Sequence, residues 1–199
     1  MTKTVDFIFD FASPNAYLAH HVLKELCARR GARMNVLPCL LGGIFKATNN
    51  QAPMIAFGPV KGKMAYEMLE TDRFIKKHRL ERFKFNPHFP VNTLTIMRGL
   101  IAAEMDGVKD KYIDVVLKAM WEDGENMADP ATISRVLAAG GLDAARILEM
   151  TQNPEVKEQL AANTNAAVER GAFGIPTFYL GKEMFFGKER LGQVEEILG

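Results

Sequence analysis

The sequence has few cysteines, almost no net charge and no long apolar run. Its 199 residues include two cysteines, Cys27 and Cys39, too few for the disulfide framework of a secreted protein. Lysine and arginine total 25 and aspartate and glutamate 24, so the net charge of +1 gives no sign of a nucleic-acid-binding surface. The sequence contains no stretch of about 18 apolar residues, so no membrane-spanning helix is predicted.

Targeting and metal-binding patterns are missing as well. The N-terminus lacks the basic, apolar and small-residue regions of a secretory signal peptide, and Asp6 and Asp10 interrupt its first apolar run, Val5–Phe11. We therefore expect a cytoplasmic protein. The four histidines show no metal-ligand spacing, so we expect no metal site.

The first 43 residues predict a strand, a helix and a second strand. Alternating polar and apolar residues over Thr4–Phe11 favour a strand. Ser13-Pro14 combines a capping residue with a first-turn proline, and helical spacing continues to Arg30. Met34–Leu40 predicts the second strand, which Gly42-Gly43 would end.

The middle of the chain favours helices and its end favours strands. Six segments between residues 64 and 171 have helical spacing, and two of them begin at Asp129-Pro130 and Asn153-Pro154. After Gly171, a hairpin is predicted from Pro176–Leu180 and Glu183–Phe186, followed by a short final helix.

Joined together, the two ends form one sheet of about four strands flanked by helices. A right-handed crossover makes the first two strands parallel. This order predicts an α/β, thioredoxin-like fold with an inserted all-helical domain. Residues 1–43 and 172–199 would form the thioredoxin-like domain, and residues 44–171 the helical insertion domain.

The residues at the start of the first helix indicate which thiol chemistry the protein can perform. Thioredoxin-like redox proteins place Cys-x-x-Cys there, because the helix N-terminus stabilises a thiolate. This chain has Ser13-Pro14-Asn15-Ala16 instead, which excludes dithiol exchange. Ser13 fits two roles: a plain helix cap, or a donor to a thiolate brought by another molecule.

The second signal is Gly174-Ile175-Pro176-Thr177, at the start of a predicted strand. Thioredoxin-like proteins place a cis-proline there, and the backbone of the residue before it can pair with an extended, peptide-like thiol. An ordinary edge-strand proline is the alternative. The combination with Ser13-Pro14 favours the cis-proline.

Both ends of the sequence resemble one known family. Asp6–Ala19, Gly171–Thr177 and Phe186–Leu191 are similar to signatures of the 2-hydroxychromene-2-carboxylate isomerases and the kappa-class glutathione transferases, within the DsbA-like thioredoxin superfamily. Residues between them also match kappa-class sequences: Gly42–Lys46, Asn50, Pro53 and Trp121. The resemblance spans essentially the whole chain.

The resemblance implies glutathione as a cofactor. The family's serine beside the glutathione sulfur corresponds to Ser13, whose hydroxyl would donate to the thiolate and lower the pKa of the thiol. Ile175, before Pro176, would hold the cysteinyl part of glutathione through its backbone.

The resemblance also implies which residues contact the two ends of glutathione. Asn50 and Lys61 correspond to residues that contact the glycyl end. Lys188 and Glu189 stand where the family has a Ser/Asn-Asp pair at the γ-glutamyl end. Glu189 keeps the carboxylate for the ligand's ammonium, and Lys188 would either contact the ligand's carboxylate or point to solvent.

Three functions follow as alternatives. The first is a glutathione-dependent isomerase of aromatic catabolism that converts 2-hydroxychromene-2-carboxylate to trans-o-hydroxybenzylidenepyruvate by reversible thiolate addition. The second is a kappa-like glutathione transferase or peroxidase, and the third a non-catalytic, peptide-binding DsbA relative. The family resemblance implies a homodimer and a small aromatic acid substrate. Candidates for the substrate's apolar wall are Phe11, Phe45, Phe57, Phe89 and Trp121, although a residue of this kind is more often a plain core residue.

Overall fold

A computed structural model describes residues 2–199 and contains one four-stranded mixed sheet. Its strands are β1 (Thr4–Phe9), β2 (Arg33–Pro38), β3 (Thr177–Leu180) and β4 (Glu183–Phe186), in the order β2-β1-β3-β4. β1 pairs parallel with β2 and antiparallel with β3, and β3 pairs antiparallel with β4. β1 is therefore central, and the site-bearing turn that follows it starts from a fixed position.

Helices flank this sheet and fill the sequence between β2 and β3. Their bounds are α1 (Pro14–Arg30), α2 (Leu41–Thr48), α3 (Pro53–Phe57), α4 (Lys63–His78), α5 (Leu94–Met105), α6 (Lys109–Lys118), α7 (Pro130–Ala139), α8 (Ala144–Met150), α9 (Pro154–Glu169) and α10 (Leu191–Leu198). A π-helical turn, Ala119–Asp123, extends α6, and a 3₁₀ turn, Lys188–Arg190, precedes α10. Within residues 2–199, no helix combines the length and apolar character needed to span a bilayer.

Local sequence explains where α1 begins and ends. The Ser13 hydroxyl oxygen accepts a hydrogen bond from the Ala16 N–H, and Pro14 occupies the first turn. Gly31 ends the helix in the left-handed conformation, with φ of 61°. α1 packs against α10 and buries an aromatic cluster on the sheet, in which the Phe7 and Phe178 ring centroids lie 5.1 Å apart.

The structure confirms the predicted thioredoxin-like fold with its helical insertion. The division into residues 1–43 and 172–199 against 44–171 stays a prediction. The strand end predicted at Gly42-Gly43 is wrong, because β2 ends at Pro38 and both glycines lie in α2. The Asp10 carboxylate accepts a hydrogen bond from the Leu41 N–H and so starts this helix, a long-range contact that local sequence does not reveal.

Candidate functional site

Ser13 lies where the end of β1, the start of α1 and the start of β3 meet. Its side chain is almost buried, at 4% exposure. The hydroxyl accepts from the Ala16 N–H at 3.2 Å and donates to the Ile175 carbonyl oxygen at 3.1 Å. No acidic residue lies in the first turn of α1, so the partial positive charge of the helix N-terminus is not offset there. Both roles predicted for Ser13 are therefore compatible with its position.

The Ile175–Pro176 peptide bond is cis, as the sequence predicts. The segment before it is tightly packed: a Cβ on Gly174 would lie 2.9 Å from a ring carbon of Phe186. The Thr177 hydroxyl donates to the Gly174 carbonyl oxygen at 2.7 Å. The cis-proline loop, residues 173–177, is thus held by the Thr177 hydrogen bond and by packing against Phe186.

Asn50 joins this arrangement, whereas Lys61 does not. The Asn50 side-chain amide donates to the carbonyl oxygen of Phe173 at 2.7 Å, which links the end of α2 to the cis-proline loop. Lys61 lies in the turn between α3 and α4, is exposed, and makes no hydrogen bond or ion pair with the residues described. The two residues predicted for the glycyl end thus differ in how firmly they are held.

Lys188 and Glu189 follow the loop, where the Gly187 N–H donates to the Pro176 carbonyl oxygen. The two side chains pair with each other, with 2.6 Å between Lys188 Nζ and Glu189 Oε1. The Lys188 residue is 97% buried and its ammonium lies 5.5 Å from the centroid of the Phe74 ring, while the Glu189 side chain is half exposed.

A cavity of about 380 Å³ lies beside this ion pair, between α1, α4 and the start of α10. Apart from His78, the cavity is lined by equal numbers of basic and acidic side chains. Its charged lining consists of Glu25, Arg29, Glu70, Arg73, Lys77, His78, Lys188, Glu189 and Glu195. A zwitterionic group suits such a lining better than a group of one charge sign.

Sequence reasoning missed Asp10, three residues before Ser13. The residue is 1% exposed, and its carboxylate accepts hydrogen bonds from Ala12, Leu41 and Thr93. Burial raises its pKa from 3.8 to about 6, although these three donors oppose that rise. In the sequence, its position between Phe9 and Phe11 was the signal that could have indicated a buried acidic residue.

A second group missed by sequence reasoning surrounds the π-helical turn. The Tyr17 hydroxyl donates to the buried Glu122 carboxylate at 3.0 Å, and Arg82 Nε lies 3.5 Å from the same carboxylate. Burial, followed by this hydrogen bond to Glu122, raises the pKa of Tyr17. The Trp121 indole N–H donates to the carbonyl oxygen of Phe11 at 3.0 Å. These bonds fix the turn before Ser13 against the helical block.

The aromatic residues predicted to line a substrate pocket fall into two groups. Phe11 and Trp121 are fully buried core residues. Phe45, Phe57 and Phe89 are half-buried. Only the second group has surface left to contact a substrate.

The two cysteines are buried free thiols remote from the start of α1 in sequence. Burial raises the pKa of Cys27 to about 11 and that of Cys39 to about 12. Both are protonated at neutral pH, so neither supplies a resident thiolate. Among residues 2–199, no group of three or more His, Cys, Asp or Glu side chains converges as a metal site would require.

Comparisons with known proteins identify the family of this chain. The family model described as "DSBA-like thioredoxin domain" matches residues 4–199. The chain is 30% identical to a 2-hydroxychromene-2-carboxylate isomerase of Pseudomonas sp. (strain C18), over 98% of this chain and 90% of that protein. It is 26% identical to glutathione S-transferase kappa 1 of Homo sapiens, over 100% of this chain and 92% of that protein.

Solved structures give the same result. A 2-hydroxychromene-2-carboxylate isomerase superposes with a TM-score of 0.85 at 27% identity, covering 98% of this chain and 94% of the other. The cytosolic disulfide reductase DsbM from Pseudomonas aeruginosa shares the fold, with a TM-score of 0.64 at 17% identity. The chain therefore belongs to the DSBA-like thioredoxin family, in the group that contains 2-hydroxychromene-2-carboxylate isomerases and kappa-class glutathione transferases.

Proposed function

We propose that this protein is a glutathione-dependent isomerase of the 2-hydroxychromene-2-carboxylate type. The observation that carries the proposal is the contact between the Ser13 hydroxyl and the carbonyl oxygen of Ile175, at the N-terminus of α1, whose first turn has no acidic residue. One polar donor, one helix N-terminus and one cis-proline backbone meet at a single point. A thiolate placed there would accept a hydrogen bond from the hydroxyl and be stabilised by the partial positive charge of the helix N-terminus.

The residues around this point suit a γ-glutamyl tripeptide. Ile175, preceding the cis bond, offers backbone groups to an extended cysteinyl unit. Beside the cavity, the half-exposed carboxylate of Glu189, held by buried Lys188, would pair with the ammonium of a γ-glutamyl group. Asn50 and Lys61 would meet the glycyl end, and Lys61 would have to move toward the ligand.

The proposed roles follow from these positions. Glutathione bound here would supply a thiolate that can add to an electrophilic carbon of the substrate. That addition would turn a carbon–carbon double bond into a single bond, which could rotate before the thiolate is expelled and the double bond forms again. Ser13 redirects its proton from the Ile175 carbonyl oxygen toward the sulfur, and the N-terminus of α1 stabilises the negative charge. Ile175 and Pro176 orient the cysteinyl backbone. Half-buried Phe45, Phe57 and Phe89 supply apolar surface for an aromatic acid.

A glutathione transferase activity is the second candidate. The 26% identity to the human kappa-class enzyme over the full chain favours it, because the same Ser13 site would serve a reaction that consumes glutathione. The two candidates differ only in whether the thiol leaves again.

Substrate tests separate them. Purified protein would receive 2-hydroxychromene-2-carboxylate with a small amount of glutathione, then chlorodinitrobenzene, then a hydroperoxide. Turnover of the chromene without loss of glutathione supports the isomerase. Glutathione consumption with either of the other two supports the transferase or peroxidase. If calorimetry detects no glutathione binding, both proposals are wrong, and the non-catalytic peptide-binding alternative gains support.

We also propose that the protein is cytoplasmic and forms a homodimer. Several large apolar side chains on α3, α4 and the turn between them are exposed, which supports a covered surface in the assembled protein. They are Met54, Ile55, Val60, Tyr66, Met68 and Leu69. Sedimentation of the full chain tests the homodimer, and a monomer at micromolar concentration would contradict it.

A further inference from the structure

Asp10 is a buried carboxylate beneath the turn that presents Ser13. Its backbone carbonyl oxygen accepts from the Ser13 N–H at 3.2 Å. Oδ1 accepts from the Ala12 N–H at 2.9 Å and from the Thr93 hydroxyl at 2.8 Å. Oδ2 accepts from the Leu41 N–H at 2.8 Å.

These three donors belong to three different parts of the fold. Ala12 is in the turn itself, Leu41 is the first residue of α2, and Thr93 precedes α5. Two of the three are backbone N–H groups, which cannot accept a hydrogen bond. A proton on Oδ2 would therefore face another donor at Leu41, whereas a proton on Oδ1 would require the Thr93 hydroxyl to turn from donor to acceptor. Either way, protonation of Asp10 changes the hydrogen bonds that hold the turn.

We propose that Asp10 is the positioning residue of the Ser13 site: its carboxyl group holds the turn 10–13 against α2 and α5, and a change in its protonation rearranges those contacts. The link to catalysis rests on the proposed function of Ser13. The link between Asp10 and the turn does not, since it follows from hydrogen bonds within the protein.

No cation pairs with this carboxylate among residues 2–199. At the end of β2, the Cys39 thiol has its pKa raised to about 12, chiefly by burial and also by the charge of Asp10, so it stays neutral. On α1, burial lowers the pKa values of His20 and His21. The charges of His21 and Lys24 add to the lowering at His20, whereas those of Glu122 and Asp114 oppose it at His21. The α2 and α5 contacts are the neutral groups of Leu41 and Thr93.

Trp121 provides a reporter for this turn. It is the single tryptophan of the chain and is fully buried. Its indole N–H donates to the carbonyl oxygen of Phe11, the residue after Asp10. Movement of the turn changes the environment of the indole, so tryptophan fluorescence follows the turn without any ligand.

The experiment is a pH titration of tryptophan fluorescence on the full chain, with glutathione affinity measured in parallel by calorimetry. We expect a transition with its midpoint near pH 6. Asp10→Asn should abolish it. Thr93→Val should move the midpoint upward by about one unit, because a donor that favours the ionised carboxylate is lost. Thr93→Ser keeps the hydroxyl and should leave the midpoint in place, and Glu122→Gln controls for the acid next to Trp121.

Persistence of the transition in Asp10→Asn, or an unmoved midpoint in Thr93→Val, overturns the proposal. If Asp10→Asn does not fold, the comparison of Thr93→Val with Thr93→Ser decides. A break in glutathione affinity at the same pH, absent from Asp10→Asn, is expected if Ser13 binds the thiol. A fluorescence transition that follows Asp10, without glutathione binding at any pH, refutes the proposed function and leaves the positioning of the turn intact.

Discussion

The proposed glutathione site differs in structure between the point where the sulfur would lie and the point where the glycyl end would lie. At the sulfur end, Ser13 and Ile175 are 4% and 7% exposed, and the Ser13 hydroxyl donates a hydrogen bond to the Ile175 carbonyl oxygen. At the outer end, Lys61 is an exposed side chain between two helices, and α4 contributes no buried residue. In the proposed site, buried backbone geometry would therefore orient the reactive sulfur, whereas Lys61 would contribute through an adaptable, exposed charge.

The largest effect is expected from breaking the sulfur end directly. Ser13→Ala removes the hydroxyl that would donate to the thiolate, and we expect turnover to fall about 10- to 100-fold, the usual magnitude for one hydrogen bond to a charged group. Steady-state kinetics with glutathione and the chromene measures the loss.

The variant also removes a helix cap, which costs about 1 kcal/mol of stability. Asp129→Ala is the matched control, because it removes the cap of α7 away from the site. A comparable loss of turnover in both variants would show that Ser13 acts only through stability.

The packing of the cis-proline loop gives the next largest effect. Gly174→Ala places a Cβ against the ring of Phe186, so we expect a loss of about 1–3 kcal/mol in the free energy of unfolding together with weaker glutathione binding. Denaturant unfolding and calorimetry measure the two quantities. Gly42→Ala is the control, since a Cβ there meets no atom within 4 Å. Equal behaviour of the two variants would contradict the tight packing.

The pH dependence of stability distinguishes buried groups with opposite shifts. The pKa of Asp10 is raised to about 6, so its contribution to stability is full below pH 3.8 and is lost as the pH rises through 6. Burial lowers the pKa of His20 to about 3, so its contribution is full above pH 6.5 and is lost as the pH falls toward 3. Between about pH 4 and pH 6, the contributions of Asp10 and His20 to the free energy of unfolding therefore change with pH with slopes of opposite sign.

Asp10→Asn removes one of these slopes. Between pH 4 and pH 6, we expect the free energy of unfolding of the variant to rise with pH more steeply than that of the parent, by about 1.4 kcal/mol per pH unit. Urea unfolding across this range measures both slopes. Identical slopes would show that Asp10 does not titrate there.

The smallest effects separate the two residues of the glycyl end. Asn50→Ala breaks the 2.7 Å bond to the Phe173 carbonyl oxygen, so it should lower the free energy of unfolding by about 1 kcal/mol and also weaken glutathione binding. Lys61→Ala should leave stability unchanged and weaken binding only at low salt, because an exposed charge is screened. Thermal unfolding with calorimetry at two salt concentrations checks both. A loss of stability in Lys61→Ala would contradict the comparison.

Sequence reasoning succeeded where the signal was local. The cap at Ser13, the proline after Ile175, and the capped starts of α7 and α9 each depend on a few neighbouring residues, and the fold followed from their order. It failed at Gly42-Gly43, because the start of α2 is determined by Asp10, which is 31 residues away from Leu41 in sequence. The burial of the Lys188 side chain depends likewise on packing that no local pattern encodes.

The most direct test of the central claim is the pKa of the thiol of bound glutathione, measured from the ultraviolet absorbance of the thiolate. The proposed site predicts that the parent protein lowers this pKa well below that of free glutathione, and that Ser13→Ala returns it toward the free value while Asp129→Ala does not. Glutathione that binds with an unchanged thiol pKa in the parent protein would contradict the claim that Ser13 and the N-terminus of α1 activate the thiol.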